Sequence, residues 1–288
     1  MSEIILRPAV PADGRTCGRI LHEAFKIVAE RHGEPPDFPS ADHGFLAAAP
    51  LIADPAIYGV VAEIDGQVVG CSFMDERDPI LGTGPAAVDP AFQGRGVGRM
   101  MIHDALERGR NAIGMRGVCD PSDMKTLTLY TMVDWAIKEP LVLLTGKPKS
   151  LPPTDVEARR LQYEDMDGCT DLCRRVHGFP RTNQLRGTLW IPICLPYVIL
   201  REGRVTAYAS AANYYYLNHG VAETEEDMRA LLLAAGAEDE LSFLLPTRHT
   251  SLLRWCLGEG LKAVKPRTLM VSGAYQEPRG FWIPSVIY

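Results

Sequence analysis

A glycine-rich run, Gln93-Gly94-Arg95-Gly96-Val97-Gly98, lies between a small-residue strand ending at Val88 and a stretch with apolar residues at helical spacing. The first turn of a helix has unpaired N–H groups and the positive end of the helix dipole. Glycines allow a diphosphate to approach those N–H groups closely, because they carry no side chain. The run therefore predicts a pyrophosphate site.

Two other phosphate motifs do not fit this run. A dinucleotide fingerprint needs a third glycine where Arg99 stands, and the Walker motif needs a Gly-Lys-Ser/Thr ending, which the chain lacks. An ordinary tight connection between a strand and a helix remains the structural alternative.

The run does resemble the acyl-CoA pyrophosphate loop, Q/R-x-x-G-x-G/A, of the GNAT superfamily of N-acetyltransferases, with Gln93, Gly96 and Gly98 at the fixed positions. The resemblance continues downstream, since Leu129 and Tyr130 follow Asp123 by six and seven residues, as Leu-Tyr follows Asn in the family. It covers about residues 3–145. Two departures are Asp123 in place of that Asn and Asp134-Trp135 in place of a Gly-Phe pair.

The resemblance implies that acetyl-CoA is the cosubstrate and that Tyr130 is the general acid that protonates the departing thiolate. It also implies that the backbone of Val88 polarises the thioester carbonyl and that the amine attacks directly, without a covalent enzyme intermediate. Use of a longer acyl-CoA remains open. The expected cofactor contacts are Ala86, Ala87, Val88, Gln93, Gly94, Arg95, Gly96, Val97, Gly98, Arg99 and Asp123.

A general base is not evident, because the strand from Thr83 to Val88 has no ionisable side chain. Asp75, Glu76 and Asp78 are candidates, and a solvated turn with ordinary surface charges is the alternative for all three. The missing base leaves a rival function open, a catalytically weak CoA-binding module that senses or regulates.

The acceptor, by the same resemblance, enters between the first two helices. The loop there carries Glu34 and Asp37, which would attract a cationic amine, and Phe38, which would form an apolar wall. A rigid loop without a ligand is the alternative. The acceptor is expected to be the primary amine of a small molecule or a peptide.

Strand and helix patterns alternate over the first 145 residues, and Asp65-Gly66 predicts a tight hairpin between two apolar β-rich runs. A proline-rich linker over residues 147–156 separates a first domain, residues 1–146, from a second, residues 157–288. The second half repeats the order of elements, with a hairpin at Glu202-Gly203 and an echo that places Asp167 opposite Asp13.

The second half lacks the glycine loop, because Gly220–Asp227 puts four carboxylates where a diphosphate needs donors. The expected fold class is α/β (α+β), with two tandem GNAT-like domains, each a mixed, mostly antiparallel twisted sheet flanked by helices. The second domain is expected to be a degenerate copy that binds no CoA.

Composition excludes several classes of function. The formal net charge of −6 and pI of about 5.7 disfavour nucleic acid and anionic membranes as partners. Seven scattered cysteines indicate reduced core thiols and a cytoplasmic location. We expect no metal, because Cys169, Cys173 and His177 on one helix span too far to meet one ion. A monomer and a homodimer are both compatible with the sequence.

Overall fold

Helices and strands alternate along the first half of the chain, as its apolar periodicity predicts. The computed structural model describes residues 3–287. The elements of the first half are β1 (Ile4–Pro8), α1 (Gly14–His32), α2 (Ala41–Ala53), β2 (Ile57–Ile64), β3 (Gln67–Asp75), β4 (Ile80–Val88), α3 (Val97–Arg108), β5 (Gly114–Cys119), α4 (Met124–Thr131) and β6 (Ala136–Gly146).

The second half follows the same order with shorter elements at its start. They are β7 (Glu157–Arg160), α5 (Met166–His177), α6 (Thr182–Thr188), β8 (Tyr197–Arg201), β9 (Arg204–Ala209), β10 (Gly220–Ala222), α7 (Glu225–Glu238), β11 (Leu241–Pro246), α8 (Thr250–Gly258), β12 (Lys262–Gly273) and β13 (Phe281–Ile283). The predicted mixed α/β architecture of two related halves is confirmed.

Both predicted hairpins form. Asp65 and Gly66 adopt φ of 51° and 75°, and Glu202 and Gly203 adopt φ of 52° and 73°. Two successive residues at positive φ give the turn whose twist matches that of the flanking strands. The turns therefore fix the register of β2 with β3 and of β8 with β9.

The chain divides into two compact units, and the division differs from the predicted one. The first unit runs to Ile137 and also takes Met270–Gly273 and Ile287, whereas Lys138–Leu269 belongs to the second. The predicted linker, residues 147–156, thus lies inside the second unit. The physical reason is strand pairing, because β6 pairs antiparallel with β11 from Leu141↔Pro246 to Gly146↔Leu241.

In the first unit the strands lie in the order β1-β2-β3-β4-β5, with the end of β12 beside β5. The pairs from β1 to β4 are antiparallel, and β4 pairs parallel with β5 only from Ile80↔Gly114 to Thr83↔Gly117. Beyond Thr83, β4 continues along β3 alone. Among residues 3–287, therefore, no strand pairs with one edge of β4 just before the glycine-rich run.

Helices α1 and α2 of the first unit cross with their backbones in contact. A Cβ added at Gly44 would lie 2.1 Å from the carbonyl oxygen of Gly18, and one added at Gly18 would lie 2.4 Å from the amide nitrogen of Phe45. Only glycine permits this approach. The crossing fixes the base of the loop that joins the two helices.

In the second unit, one sheet has the order β13-β10-β9-β8-β7, and strands β12, β6 and β11 lie side by side. The core of the second unit is formed by side chains of α7 and α8 together with those of β8, β9 and β11. Fully buried members include Met228, Leu231, Phe243, Leu252 and Cys256. This unit thus buries a continuous apolar core of its own.

Candidate functional site

The glycine-rich run folds as a turn that leads directly into α3. Pro90–Phe92 forms a single 3-10 turn, and the Asp89 side chain accepts a hydrogen bond from the Ala91 N–H at 3.0 Å. Gly94 and Gly96 then take φ of 78° and 94°, and Gly96 is the N-cap of α3. A side chain would be strained at either glycine, so the sequence needs glycine for backbone geometry as well as for access.

The predicted loop presents its backbone to solvent. Residues 93–96 are exposed, and the Cβ that a residue other than glycine would add at Gly94 meets no atom within 4 Å. The N-cap glycine gives no side-chain hydrogen bond to the first turn of α3. This N-terminus therefore keeps the donor groups and the dipole that an anion requires.

The unpaired edge of β4 leads to this loop. Gly70 lies opposite Val88, and the N–H of Asp89 donates to the carbonyl oxygen of Val69 at 2.8 Å. Because antiparallel hydrogen bonds alternate along a strand, the backbone groups of Val88 and Ala86 point away from β3, toward the gap between β4 and β5. The Gln93 amide donates to the Val88 carbonyl oxygen at 3.2 Å.

Helix α4 packs against the first turn of α3 at the last glycine of the loop. A Cβ at Gly98 would lie 3.4 Å from Cδ2 of Leu129 and 3.7 Å from Cγ2 of Val88. Tyr130 is the next residue after Leu129. The glycine loop, the open edge of β4 and the helix that carries Tyr130 therefore lie within one unit.

The Tyr130 ring packs edge-on against Trp135, with ring centroids 5.0 Å apart. Burial, and to a lesser degree the nearby Cys119 thiol, raises the pKa of the Tyr130 phenol above its ordinary value. Within residues 3–287, no group hydrogen-bonds the Tyr130 hydroxyl. Because its pKa is raised, the Tyr130 phenol is protonated at neutral pH and can donate a hydrogen bond.

Asp123 is the N-cap of α4. Its carboxylate accepts from the N–H of Lys125 at 3.2 Å and from the N–H and hydroxyl of Thr126 at 3.3 Å and 2.5 Å. These bonds occupy both oxygens. The structure thus gives Asp123 a capping role, and its expected contact with the cofactor stays a prediction.

The Asp134 position has the backbone conformation of a glycine. Its φ is +63°, a region that few residues other than glycine adopt. The equivalent place after α8 holds Gly260, with φ of +96°. Asp134 therefore replaces the glycine of the Gly-Phe pair at a position that has a glycine-like backbone conformation.

Two of the candidate bases are held in ion pairs. Asp75 is 6% exposed and accepts from Nε of Arg77 at 2.8 Å, and Glu76 accepts from Nε and Nη2 of Arg108 at 2.7 Å and 2.8 Å. Asp78 is half-buried. The carboxylates of Asp75 and Glu76 are thus both engaged by a guanidinium group.

The expected acceptor residues differ in exposure. Glu34 and Asp37 are half-buried in the loop between α1 and α2. Phe38, expected as a pocket wall, is 2% exposed and packs edge-on against Phe25 with ring centroids 5.1 Å apart. The Phe38 ring thus packs on the inner side of the loop. The Phe38 backbone is held as well, because His22 Nδ1 lies 2.7 Å from its carbonyl oxygen. The sequence could not distinguish an inward-facing phenylalanine from an exposed one.

The corresponding turn of the second unit has no loop. Here α7 follows β10 closely, and Thr224 caps the helix by accepting from the N–H of Asp227. The first turn of α7 also carries Glu225 and Glu226. Seven residues after the N-cap of α8, where the first half has Tyr130, stands the fully buried Cys256. This unit therefore has neither an open helix N-terminus nor a phenol at the equivalent position.

Sequence reasoning missed one ion pair at the loop. Nη2 of Arg19, on α1, lies 2.9 Å from Oδ2 of Asp89, and Nη1 of Arg19 donates to Glu23 at 2.6 Å. The two partners are seventy positions apart, and no spacing rule connects them.

The described residues hold neither a cluster of metal ligands nor a helix that could cross a membrane. Between residues 3 and 287, no group of three or more His, Cys, Asp or Glu side chains could hold a metal ion. Over the same residues, no helix has the length and apolar character needed to cross a membrane.

The comparisons with known proteins agree with this geometry. Residues 55–133, which include β2 to β5, the glycine loop and Tyr130, match the family model described as acetyltransferase (GNAT) domain. The comparison with curated proteins gives no match.

Three solved structures share the fold over nearly the whole chain. A Pyrococcus horikoshii protein named only provisionally as an acetyltransferase is 16% identical, with a TM-score of 0.76, over 96% of this chain and 94% of that one. A GCN5-related N-acetyltransferase from Sphaerobacter thermophilus is 16% identical, with a TM-score of 0.62, over 95% and 96%. A tandem GNAT protein from the clavulanic acid biosynthesis pathway is 12% identical, with a TM-score of 0.61, over 98% and 100%.

Proposed function

We propose that this chain, which carries a GNAT acetyltransferase domain over residues 55–133 and has the fold of tandem GNAT proteins, is an acetyl-CoA-dependent N-acetyltransferase. Its acceptor is the primary amine of a small molecule or a peptide. The proposal depends chiefly on one observation, that α4, the helix that carries Tyr130, contacts the start of α3 through Leu129 and Gly98, beside an open glycine loop.

The loop would hold the diphosphate of acetyl-CoA on the N–H groups at the start of α3. The backbone of Ala86 and Val88, which faces the gap beside β4, would hold the pantetheine arm as an added strand would be held. The Val88 N–H would also stabilise negative charge on the thioester carbonyl oxygen as the amine attacks.

Tyr130 would then donate its proton to the departing thiolate sulfur. The phenol suits this step, because its raised pKa keeps it protonated at neutral and mildly alkaline pH. The amine must lose a proton before it attacks. Since Asp75 and Glu76 are ion-paired, that proton would leave through water rather than directly to either carboxylate.

A calorimetric titration with acetyl-CoA tests the proposal. We expect one site per chain, lost in Gly96→Glu and in Gly98→Asp, both of which place a carboxylate at the start of α3. The second variant matters because Gly98, unlike Gly96, does not have positive φ. Gly258→Glu adds the same charge at an open position of α8 and serves as the control.

Three results would change the proposal. Two sites per chain would show that the second unit also binds the cosubstrate. The absence of binding would overturn the proposal altogether. Tight binding without turnover over a broad panel of amines would instead favour the CoA-binding regulatory module.

A further inference from the structure

Asp89 places a carboxylate at the entrance to the glycine loop. It is 6% exposed, and its Oδ1 accepts from the N–H of Ala91, which forms the turn ahead of the loop. Its N–H also donates to the Val69 carbonyl oxygen, so both its backbone and its side chain are fixed. The carboxylate is therefore part of the framework that shapes the loop.

A negative charge at this place opposes the binding of an anion. Asp89 stands four positions before Gln93, and a diphosphate at residues 93–98 would carry at least two negative charges. Burial strengthens the repulsion, because solvent screens a buried charge less than an exposed one. The geometry of the turn requires an acceptor at position 89, while anion binding requires that this acceptor carry no net charge.

Arg19 satisfies both requirements. Its Nη2 lies 2.9 Å from Oδ2 of Asp89, the oxygen that does not bind Ala91. Glu23, one turn later on α1, accepts from the other end of the guanidinium at 2.6 Å and holds it in place. The Glu23 side chain is 41% exposed and that of Asp89 only 8%, so solvent screens the charge of Glu23 and leaves the guanidinium to balance that of Asp89. The guanidinium thus neutralises the carboxylate without competing for the hydrogen bond that forms the turn.

We infer that Arg19 is a positioning residue that allows the loop to bind an anionic cosubstrate by neutralising Asp89. The inference rests on the proposed function, since it assumes that the diphosphate of acetyl-CoA occupies the loop. The recorded hydrogen bonds and ion pairs of Arg19 are with Glu23 and Asp89, so it acts through Asp89.

The test compares acetyl-CoA binding and turnover in Arg19→Met, Arg19→Lys and the double variant Arg19→Met with Asp89→Asn. Arg19→Met should raise the Kd and the KM for acetyl-CoA roughly tenfold and leave kcat at saturation within about twofold. Arg19→Lys, which keeps the charge, should recover most of the affinity. The double variant should recover it as well, because asparagine removes the charge but still accepts from Ala91.

Arg15→Met is the matched control. It removes one positive charge from the same helix, one turn earlier, where Arg15 is highly exposed, makes a long contact of 3.9 Å to Asp42 and lies over the Phe45 ring. Thermal unfolding of every variant shows whether α1 remains packed.

The outcomes separate the two proposals. If the natural chain does not bind acetyl-CoA, the proposed function fails and this inference fails with it. If the natural chain binds and Arg19→Met binds equally well, only the inference is overturned. A loss in Arg19→Met that the double variant does not recover would also overturn it, because neutralisation would not be the cause.

Discussion

Asp13 and Asp165 hold the same structural position in the two halves of the chain, 152 residues apart. Asp13 accepts two hydrogen bonds from Arg7 at 2.7 Å and 2.9 Å, and Asp165 accepts two from Arg159 at the same distances. Each carboxylate also accepts a backbone N–H three residues earlier, at 2.8 Å. Each thus links the end of a first strand to the start of a first helix.

This pair corrects the sequence-based alignment of the halves, which put Asp167 opposite Asp13. The same spacing places the fully buried Cys169 opposite the fully buried Cys17. The error arose because two acidic residues, Asp165 and Asp167, flank the same helix start. Only the partner arginine identifies the equivalent one.

Replacement of Tyr130 by phenylalanine should lower kcat about a hundredfold and leave Kd for acetyl-CoA nearly unchanged, because only the proton donor is lost. The raised pKa of the phenol further predicts no decline of kcat between pH 8 and 10 from loss of the acid. Tyr58→Phe is the control, since Tyr58 donates to Asp104 elsewhere in the first unit. Full kcat in Tyr130→Phe would exclude Tyr130 as the acid.

Asp134 offers a test of backbone strain. Asp134→Ala should lower the free energy of unfolding by about 1 kcal/mol, since alanine disfavours positive φ, whereas Asp134→Gly should match or exceed the natural chain. Urea unfolding of the two variants measures the difference. Equal stability of the two would show that the backbone relaxes to an ordinary conformation.

The contact between α1 and α2 predicts an unusual sensitivity to alanine. Gly44→Ala should destabilise the chain by about 2–4 kcal/mol, because the added Cβ would meet the Gly18 carbonyl at 2.1 Å and force the helices apart. Gly258→Ala, at a position with no atom within 4 Å, should be neutral or stabilising. Thermal unfolding compares the two, and similar midpoints would contradict the close crossing.

The second unit should lose stability in mild acid. Burial and then the charge of Arg248 lower the pKa of His249 to about 4, while Glu225 acts in the opposite sense. As pH falls below about 6.5, His249 binds a proton in the unfolded chain but stays neutral in the folded chain. Unfolding therefore becomes more favourable down to about pH 4. The loss is on the order of 1–2 kcal/mol after allowance for solvent screening.

The measurement is the unfolding free energy from pH 7.5 to 4.5 in the natural chain and in His249→Gln. The variant should show a shallower decline. His32→Gln, at the exposed end of α1, is the control for loss of a histidine. An unchanged slope in His249→Gln would mean that His249 takes up its proton as readily in the folded chain as in the unfolded one.

Local signals predicted much of the first unit. Asp65-Gly66 located its hairpin, and α2 begins at Ala41, because Ser40 caps it and accepts from the N–H of His43. The glycine loop could be placed because its function depends on spacing within a few residues. These features are fixed by short stretches of chain.

Long-range pairing was not predictable. Lys147–Pro153 has the composition of a linker, yet it lies within the second unit because β6 before it pairs with β11 about a hundred residues later. The ion pair of Arg19 with Asp89 and the inward-facing ring of Phe38 depend on tertiary packing in the same way. No periodic pattern in the sequence indicates which distant strand or side chain a given residue will contact.

The late position in the sequence of Met270–Gly273, which belongs to the first unit, has a consequence for synthesis on the ribosome. The first unit includes Met270–Gly273, beside β5, so its sheet lacks a strand until nearly the whole chain has been translated. The outer edge of β5 must stay unpaired while the following 150 or so residues are made, exposed to neighbouring nascent chains. Deletion of the segment that carries Met270–Gly273 would therefore remove an edge strand from the sheet of the first unit.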